Sequence, residues 1–507
     1  MAEFKKLLDE YTVEADKVPA TVKVWSIEKE NVPIYEIELP KLGSGTEALL
    51  NSISGELAKK VPIEVEEITD VTKTETLKQN FFFEAKKIVK EKLTNLSDKK
   101  LNLLAGTLLH RMYGLGFLDV IMSDNWLEEL AINSSKEPIS VYHKKHGWCK
   151  TTKFIKSEEE IYNFSSQIGR KVGREINNLN PIMDAHLVSG DRVASTLFPI
   201  STGGNTITIR RFARNPWTAI HLLDPKLNTF SKEICAFLWQ AVQYELNVLV
   251  AGGTASGKTS MLNSLCSFMP PTQRIISIED TREISLPKPL EWNWVPLTTR
   301  NPNPEGQGEV TMLDLMVSSL RMRPDRIVVG EVRRRKQAEA MFEAMHTGHS
   351  VYTTMHADTT QQVKRRLIEP PIQIPKAELE SLQLILVQYR DRRKGIRRTL
   401  ELSEILTGGK EELEVNYLYR WRPRTDKFEK VNNSIRVLED LNLHTGMTPK
   451  EINDDLKQKQ KILDWMLKNN IRDIDDVGII TKIYYKEPDM IINAATKNKK
   501  PDFFVKK

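Results

Sequence analysis

The sequence has 507 residues, of which 40% are apolar and 28% are charged, and its 74 basic and 68 acidic side chains leave a formal net charge of +6. This length predicts about three or four domains, and so balanced a charge gives no support for nucleic-acid binding. Apolar runs of roughly eighteen residues and an N-terminal signal segment are absent, and Cys149, Cys235 and Cys266 are isolated residues of core type, so we expect a cytosolic protein without a disulfide framework or a C-x-x-C zinc site.

The first part of the chain predicts two successive α/β regions. Residues 1–75 contain strand-like runs at 20–25 and 33–38 beside a helical stretch, which indicates a small α/β region at the N-terminus. Residues 76–212 begin with apolar positions at helical spacing that end near Gly114 and continue with alternating strands and helices. We therefore expect a helical hairpin followed by a compact α/β N-terminal domain.

The second part of the chain predicts a larger α/β domain. Residues 213–230 contain Pro216 and Pro225, which interrupt both periodicities, and we place a hinge or linker there. From 231 to 445 the pattern of strand, helix and strand is typical of a doubly wound parallel sheet. Residues 446–507 carry an apolar stripe at helical spacing and predict a C-terminal helical region.

The strongest motif is the G-x-x-x-x-G-K-[ST] pattern from Gly252 to Thr259, which lies between an apolar strand and an amphipathic helix. Glycines let the loop turn its backbone N–H groups inward, and the helix start adds its dipole, so we expect a polyphosphate to bind there. Lys258 is predicted to reach the β- and γ-phosphates and Thr259 to ligate Mg²⁺. The predicted nucleotide-binding residues are Gly252, Gly253, Thr254, Ala255, Ser256, Gly257, Lys258, Thr259 and Ser260.

Three later strands end in polar residues, and open α/β sheets bind ligands at this edge. Glu331 follows four apolar residues and a glycine, and we interpret it as a Mg²⁺ ligand or a water-orienting acid rather than a surface glutamate. Glu279 ends its strand directly and is the first candidate for the general base, with Glu283 as the reserve. His356 is either a structural histidine or a sensor of the γ-phosphate, and its place at a strand end favours the sensor.

Four motifs in this order closely resemble those of the type II/IV secretion ATPases, namely their Walker A, Asp box, atypical Walker B and His box, at residues 252–259, 278–283, 327–333 and 347–357. Gly330 is the variant that this family carries. Residues 115–130 and 141–147 resemble the archaeal branch, which powers type IV pili and archaella, and the similarity runs from about residue 30 to about 490. The absence of the four-cysteine insert that bacterial pilus-extension members often carry also favours this branch.

The resemblance implies a RecA-like P-loop motor domain with a parallel-core sheet, preceded by a smaller α/β N-terminal domain with a helical hairpin. It further implies a homo-hexameric ATPase that uses ATP and Mg²⁺ and acts, at the cytoplasmic face of the membrane, on an integral platform protein of a pilus, archaellum or secretion machine. Arg192 and Arg210 then resemble the arginines that the N-terminal domain supplies to the phosphates. Arg211 could replace Arg210, because adjacent strand residues point to opposite faces, and an exposed strand arginine remains the alternative for each.

The densest basic run is Tyr389 to Arg398. It is interpreted as a solvated turn between two strands, with a subunit interface or a contact for an acidic cytoplasmic loop as alternatives. Two rival functions remain, a RecA-like motor that translocates nucleic acid and a scaffold that binds nucleotide without hydrolysing it. The weak basic signature argues against the first, and the retained Glu279, Glu331 and His356 argue against the second.

Overall fold

The computed structural model describes residues 5–60, 71–93, 95–187, 190–212, 216–302, 306–406, 414–501 and 504, with the side chains of 71–75 left out. The chain forms two compact units, Met1–Ala213 and Arg214–Lys507. Among the described residues no helix combines the length and the apolar character needed to cross a membrane.

The N-terminal unit is built on one nine-stranded sheet. Its elements are β1 Lys5–Ala15, β2 Val18–Ile27, β3 Ile34–Glu38, α1 Ser44–Lys60, α2 Val71–Lys92, α3 Asp98–Met112, α4 Phe117–Met122, β4 Leu127–Ile132, β5 Ser140–His143, β6 Gly147–Thr151, α5 Glu158–Lys171, β7 Ile182–His186, β8 Arg192–Thr196 and β9 Thr206–Arg210. The strand order is β1-β2-β3-β6-β5-β4-β9-β8-β7. The predicted helical hairpin is formed by α2 and α3, which bury Phe81, Ala85 and Leu104 in a core that they share with α1.

The first three strands belong to the same sheet as the later ones, which differs from the predicted boundary near residue 75. Strand β3 pairs parallel with β6, with Ile34 opposite Lys150 and Tyr35 opposite Thr151. Tyr35 is fully buried, and its hydroxyl donates a hydrogen bond of 2.8 Å to Asp124. The alternating sequence of these strands predicts one buried face, but it does not predict which distant strand pairs with them. The predicted boundary near residue 75 therefore divides a single unit.

The C-terminal unit contains the predicted motor sheet and the helices around it. Its elements are α6 Ala219–Leu223, α7 Lys232–Gln243, β10 Val248–Gly252, α8 Lys258–Cys266, β11 Ile275–Glu279, α9 Lys288–Glu291, β12 Trp294–Thr298, α10 Met312–Ser319, β13 Arg326–Val329, α11 Arg335–His346, β14 Ser350–Met355, α12 Thr360–Ile368, a 3₁₀ turn Glu378–Ser381, β15 Leu384–Asp391, β16 Ile396–Ile405, β17 Val415–Arg422, β18 Lys427–Lys430, α13 Arg436–Thr445, α14 Pro449–Lys468, α15 Ile474–Lys486 and α16 Pro488–Thr496.

The sheet of this unit has a parallel core, which confirms the predicted fold class. Its order is β12-β11-β13-β14-β10-β15-β16-β17-β18, and pairing is parallel from β12 to β15 and antiparallel beyond it. Strand β10 is buried on both faces, with Val248 and Val250 in one apolar core and Leu249 and Ala251 in the other, as a parallel sheet covered by helices requires. One strand, β14, separates the strand of the phosphate loop from the strand before Glu331.

The predicted linker and C-terminal region are integrated into the same unit. The Thr218 hydroxyl donates to the Arg472 carbonyl over 3.0 Å, and Asp224 pairs with Arg472 at 2.5 Å. Trp239 of α7 stacks on Phe268 and meets Tyr484 of α15 edge-on. The structure therefore places residues 218–224 and the terminal helices in the main apolar core, while all three cysteines are buried as expected.

Replacing Gly478 in α15 by alanine tests this integration. An added Cβ would lie 2.3 Å from Pro287 Cβ, beside the rigid ring that precedes α9, so Gly478→Ala should lower the free energy of unfolding by about 1–3 kcal/mol through overpacking. Gly55→Ala in α1, where nothing lies within 4 Å, should be neutral or slightly stabilising. Thermal or urea unfolding measures both. Equal stability of the two variants would mean that α15 does not pack closely against the start of α9.

Candidate catalytic site at the edge of the C-terminal sheet

The phosphate loop connects β10 to α8 through a backbone that requires glycine. An added Cβ on Gly252 would lie 2.4 Å from the Gln388 carbonyl oxygen of the neighbouring β15 and equally close to the Ser256 hydroxyl. Gly257 precedes α8 with a φ of 92° and provides no side-chain cap. Gly257 therefore leaves the first N–H groups of α8 without a side-chain cap, and these groups are available to an anion. The helix dipole also favours an anion at this position.

Two hydroxyl side chains of the loop fit a phosphate bearing a divalent cation. The Ser256 hydroxyl oxygen is buried and finds no hydrogen-bond partner among the described residues, and such an orphaned donor is costly unless a ligand satisfies it. Thr259 is the second residue of α8 and is half-buried. Thr254, Ala255 and Ser260 are exposed beside them, so the loop as a whole fits the predicted polyphosphate.

Lys258 is buried at the start of α8, with 8% of its surface exposed. Its ammonium donates to the Gly253 carbonyl over 3.0 Å and to the His356 Nδ1 over 3.2 Å. Burial lowers the pKa of this ammonium, and the nearby carboxylates of Glu331, Glu283 and Asp358 oppose that effect. The acids around the lysine therefore help to keep it charged where a phosphate would bind.

His356 lies between Lys258 and Glu331. The imidazole accepts from Lys258 at Nδ1, which leaves Nε2 as the protonated nitrogen, and Nε2 lies 3.4 Å from Glu331 Oε1. Burial and the Lys258 charge both lower the pKa of His356, so the ring is neutral at neutral pH. The predicted sensor therefore contacts both the lysine of the phosphate loop and the acid that follows β13.

Glu331 is held on its other side by Arg333. The Arg333 guanidinium donates to Glu331 Oε2 over 2.7 Å and to Asp280 Oδ2 over 3.1 Å, so one guanidinium joins the ends of β13 and β11. Only 14% of the Glu331 side chain is exposed. Gly330 precedes it in close contact with β11, because an added Cβ would lie 3.4 Å from Glu279 Cγ.

The two candidate bases of the Asp box have different environments. Glu279 is 2% exposed, and its Oε1 accepts from the backbone N–H groups of Glu283 and Ile284 over 2.8 and 2.9 Å. Burial raises the pKa of Glu279 to about 7. Glu283 is half-buried and is one of the carboxylates that act on Lys258. Glu279 thus stabilises the loop, while Glu283 lies within electrostatic range of the phosphate-binding lysine.

The structure brings Arg192 and Arg210 together within the N-terminal unit. They are directly opposite each other on β8 and β9, which places both side chains on one face of the sheet. Arg192 makes a bidentate pair with Asp184 at 2.9 and 2.5 Å. Arg211 instead donates to the backbone carbonyls of Asp124 and Leu127, while Arg210 is exposed.

Sequence reasoning missed two charged residues of the site. Arg333 ends the Walker B stretch but received no role from the sequence, because its pairing with Asp280 joins two motifs that are remote from each other along the chain. Asp358 lies 2.9 Å from the position of an added Cβ on Gly253 and acts on Lys258. The rule that ligands bind at the carboxyl ends of strands could have found Asp358, which follows β14 by three residues.

Comparisons with known proteins agree with the motifs. The family model described as "Type II/IV secretion system protein" matches residues 186–392. An uncharacterized protein of Methanocaldococcus jannaschii is 33% identical over 399 residues, which is 77% of this chain and 70% of that protein. The type IV secretion system protein PtlH of Bordetella pertussis is 30% identical over 258 residues, 47% of this chain and 75% of PtlH. The crystal structure of the VirB11 ATPase from the Brucella suis type IV secretion system, in complex with sulphate, is 24% identical and covers 55% of this chain and 90% of its own, with a TM-score of 0.29.

The buried Glu279 predicts a pH dependence of stability. Its pKa rises from 4.5 to about 7 on folding, so its contribution is fully present below the unfolded pKa and is lost as pH rises through 7. Glu279→Gln keeps the acceptor for the two backbone N–H groups but cannot ionise. The variant should exceed the wild type in free energy of unfolding by up to about 3 kcal/mol near pH 9, and the difference should shrink towards pH 5.

Denaturant titrations at several pH values measure this difference, and Glu283→Gln, four residues away and half-exposed, is the matched control. A constant difference between Glu279→Gln and the wild type across this pH range would contradict the buried-carboxyl assignment.

Proposed function

The chain belongs to the type II/IV secretion system protein family, and from this premise we propose that it is an ATPase that hydrolyses ATP with Mg²⁺. The observation that carries the proposal is the contact series beside the phosphate loop. The Lys258 ammonium is 3.2 Å from His356 Nδ1, and His356 Nε2 is 3.4 Å from Glu331. If Lys258 were only structural and Glu331 only a surface residue, no histidine would be expected in contact with both of them.

The phosphate loop provides binding. Backbone N–H groups between Gly252 and Thr259 and the Ser256 hydroxyl supply donors, and Lys258 adds a positive charge that few water molecules can screen, because it is buried. Mg²⁺, held by the Thr259 hydroxyl and the Glu331 carboxylate, would neutralise charge on the β- and γ-phosphates.

The strand ends provide the groups that act on water. Glu331, fixed by Arg333 on one side and close to His356 on the other, orients the attacking water. Glu283 is the better candidate for accepting its proton, because Glu279 already binds two backbone N–H groups. His356, neutral and hydrogen-bonded to Lys258, senses the γ-phosphate when the lysine turns towards it.

Membership of the family supports a proposal about assembly. We propose that six copies form a ring on the cytoplasmic face of the membrane and that domain closure during ATP hydrolysis acts on an integral platform protein of a pilus, archaellum or type II-like secretion machine. PtlH is a protein of a type IV secretion system, which supports a secretion machine as the partner. The 33% identity to a Methanocaldococcus jannaschii protein over 399 residues supports the archaeal branch.

A pair of variants tests the site. Lys258→Ala should lose most affinity for ATP, because the amide donors alone compensate the β- and γ-phosphate charge poorly. Glu331→Gln should still bind ATP, since volume and hydrogen bonding survive, but should slow turnover by roughly a hundredfold or more.

Binding of a fluorescent ATP analogue and release of inorganic phosphate are measured for both proteins. Wild-type hydrolysis by Lys258→Ala would refute the site. Hydrolysis that requires single-stranded DNA would favour a nucleic-acid motor, and tight binding without turnover by the wild type would favour a scaffold.

The N-terminal arginines are tested in the full chain. If Arg192 and Arg210 act on the phosphates during domain closure, Arg192→Ala and Arg210→Ala should slow hydrolysis by about 10³-fold or more while ATP affinity changes little. Arg170→Ala removes an exposed charge of the same unit from α5 and should leave turnover unchanged, as expected of an exposed charge. Equal turnover of all three variants would return both arginines to the role of surface residues.

A further inference from the structure

The basic run Tyr389–Arg398 is divided by the sheet into residues with different roles. It spans the turn between β15 and β16, in which Arg392, Arg393 and Lys394 are exposed. Arg397 and Arg398 follow on β16, and adjacent strand residues point to opposite faces. Arg398 is 4% exposed and makes a bidentate pair with Asp426 at 2.7 Å. Arg397, on the other face, contacts the phosphate loop.

Arg397 reaches the loop at a residue with an unusual backbone conformation. Its Nε donates to the Ala255 carbonyl over 3.0 Å, and its Cδ lies 3.5 Å from the position of an added Cβ on Gly257. Ala255 has a φ of 58°, in the left-handed region that costs a residue with a Cβ free energy. Successive N–H groups converge on an anion when a loop adopts such conformations. The carbonyl of the same residue is then turned away from the anion, and here Arg397 supplies its donor.

The position of Arg397 is set by sheet pairing rather than by the turn. Gly252 is the partner of Gln388 in the parallel pair of β10 and β15. Gln388 is in turn opposite Thr399 on β16, and its side-chain amide donates to the Thr399 hydroxyl over 2.8 Å. Arg397 lies two residues from Thr399 and so shares its face of the sheet. The guanidinium is therefore held beside the loop by three hydrogen-bonded strands.

We propose that Arg397 is a positioning residue of the nucleotide site, which holds the Ala255 carbonyl so that the phosphate loop keeps the conformation that binds the β-phosphate. The inference rests on the proposed function of that site and adds a residue outside the four motifs. Because the guanidinium acts on the loop and not on the attacking water, it contributes to nucleotide affinity and not to the hydrolysis step.

The test is a comparison of KM with kcat in the full-length protein. Arg397→Ala should raise KM for ATP, and the dissociation constants of both ATP and ADP, by roughly tenfold, the lower part of the range for a hydrogen bond from a charged donor, with kcat within about threefold of the wild type. Arg397→Lys keeps one charged donor of similar reach and should recover most of the affinity. Arg393→Ala removes the same charge from the exposed turn and should leave KM unchanged.

Three results would overturn the proposal. In the first, Arg397→Ala has the same KM as Arg393→Ala. In the second, Arg397→Ala loses kcat while its KM is unchanged. In the third, Arg397→Lys has the same KM as Arg397→Ala. Thermal unfolding of each variant separates a loss of affinity from a loss of folded protein. Should the wild type bind nucleotide without hydrolysing it, the dissociation constants alone decide the role of Arg397. Should Lys258→Ala bind ATP normally, the proposed site fails whatever Arg397 does.

Discussion

A row of four charged side chains and one histidine along one sheet edge is the interaction on which the candidate site depends. It runs from Asp280 through Arg333 and Glu331 to His356 and Lys258, with separations between 2.7 and 3.4 Å. The residues come from segments after β11, β13, β14 and β10, and that is also the order of these strands in the sheet. Parallel pairing places all four carboxyl ends on one edge, so strand order decides which charges become neighbours.

Partial burial makes this row suitable for chemistry. Lys258 and Glu331 are mostly buried, while His356 keeps 41% of its side chain exposed, so each charge acts in a medium of lower polarity than water but remains reachable by a ligand. Neutral His356 separates the lysine from the glutamate and prevents their direct pairing. A phosphate that draws Lys258 away would therefore change the environment of Glu331 through one side chain, and the proposed hydrolysis depends on that connection.

The alternation of side chains along strands gives neighbouring arginines different environments in both units. Arg210 is exposed opposite Arg192, whereas Arg211 donates to backbone carbonyls. Arg397 contacts the phosphate loop, whereas Arg398 is buried with Asp426. In each case two chemically identical neighbours acquire different roles because the pleat directs them to opposite faces. The pairing also affects Asp426, because the hydrogen bond from the Arg398 guanidinium lowers the pKa of the Asp426 carboxyl to about 2.

The sequence alone determined the local features of this protein: the phosphate loop between Gly252 and Thr259, the parallel strands that end at Glu279 and just before Glu331 and His356, and the helical hairpin of the N-terminal unit. These depend on periodicity, glycine and short motifs, which are properties of neighbouring residues. The tertiary structure decided that β3 pairs with β6 and that the terminal helices complete the motor core. It also decided that Arg333 joins Asp280 to Glu331. Finally, it decided that Glu279 binds backbone N–H groups while the Glu283 carboxylate acts on Lys258. These contacts join residues that are distant in the chain or depend on the direction of one side chain, and strand pairing and burial, which no local pattern records, select them.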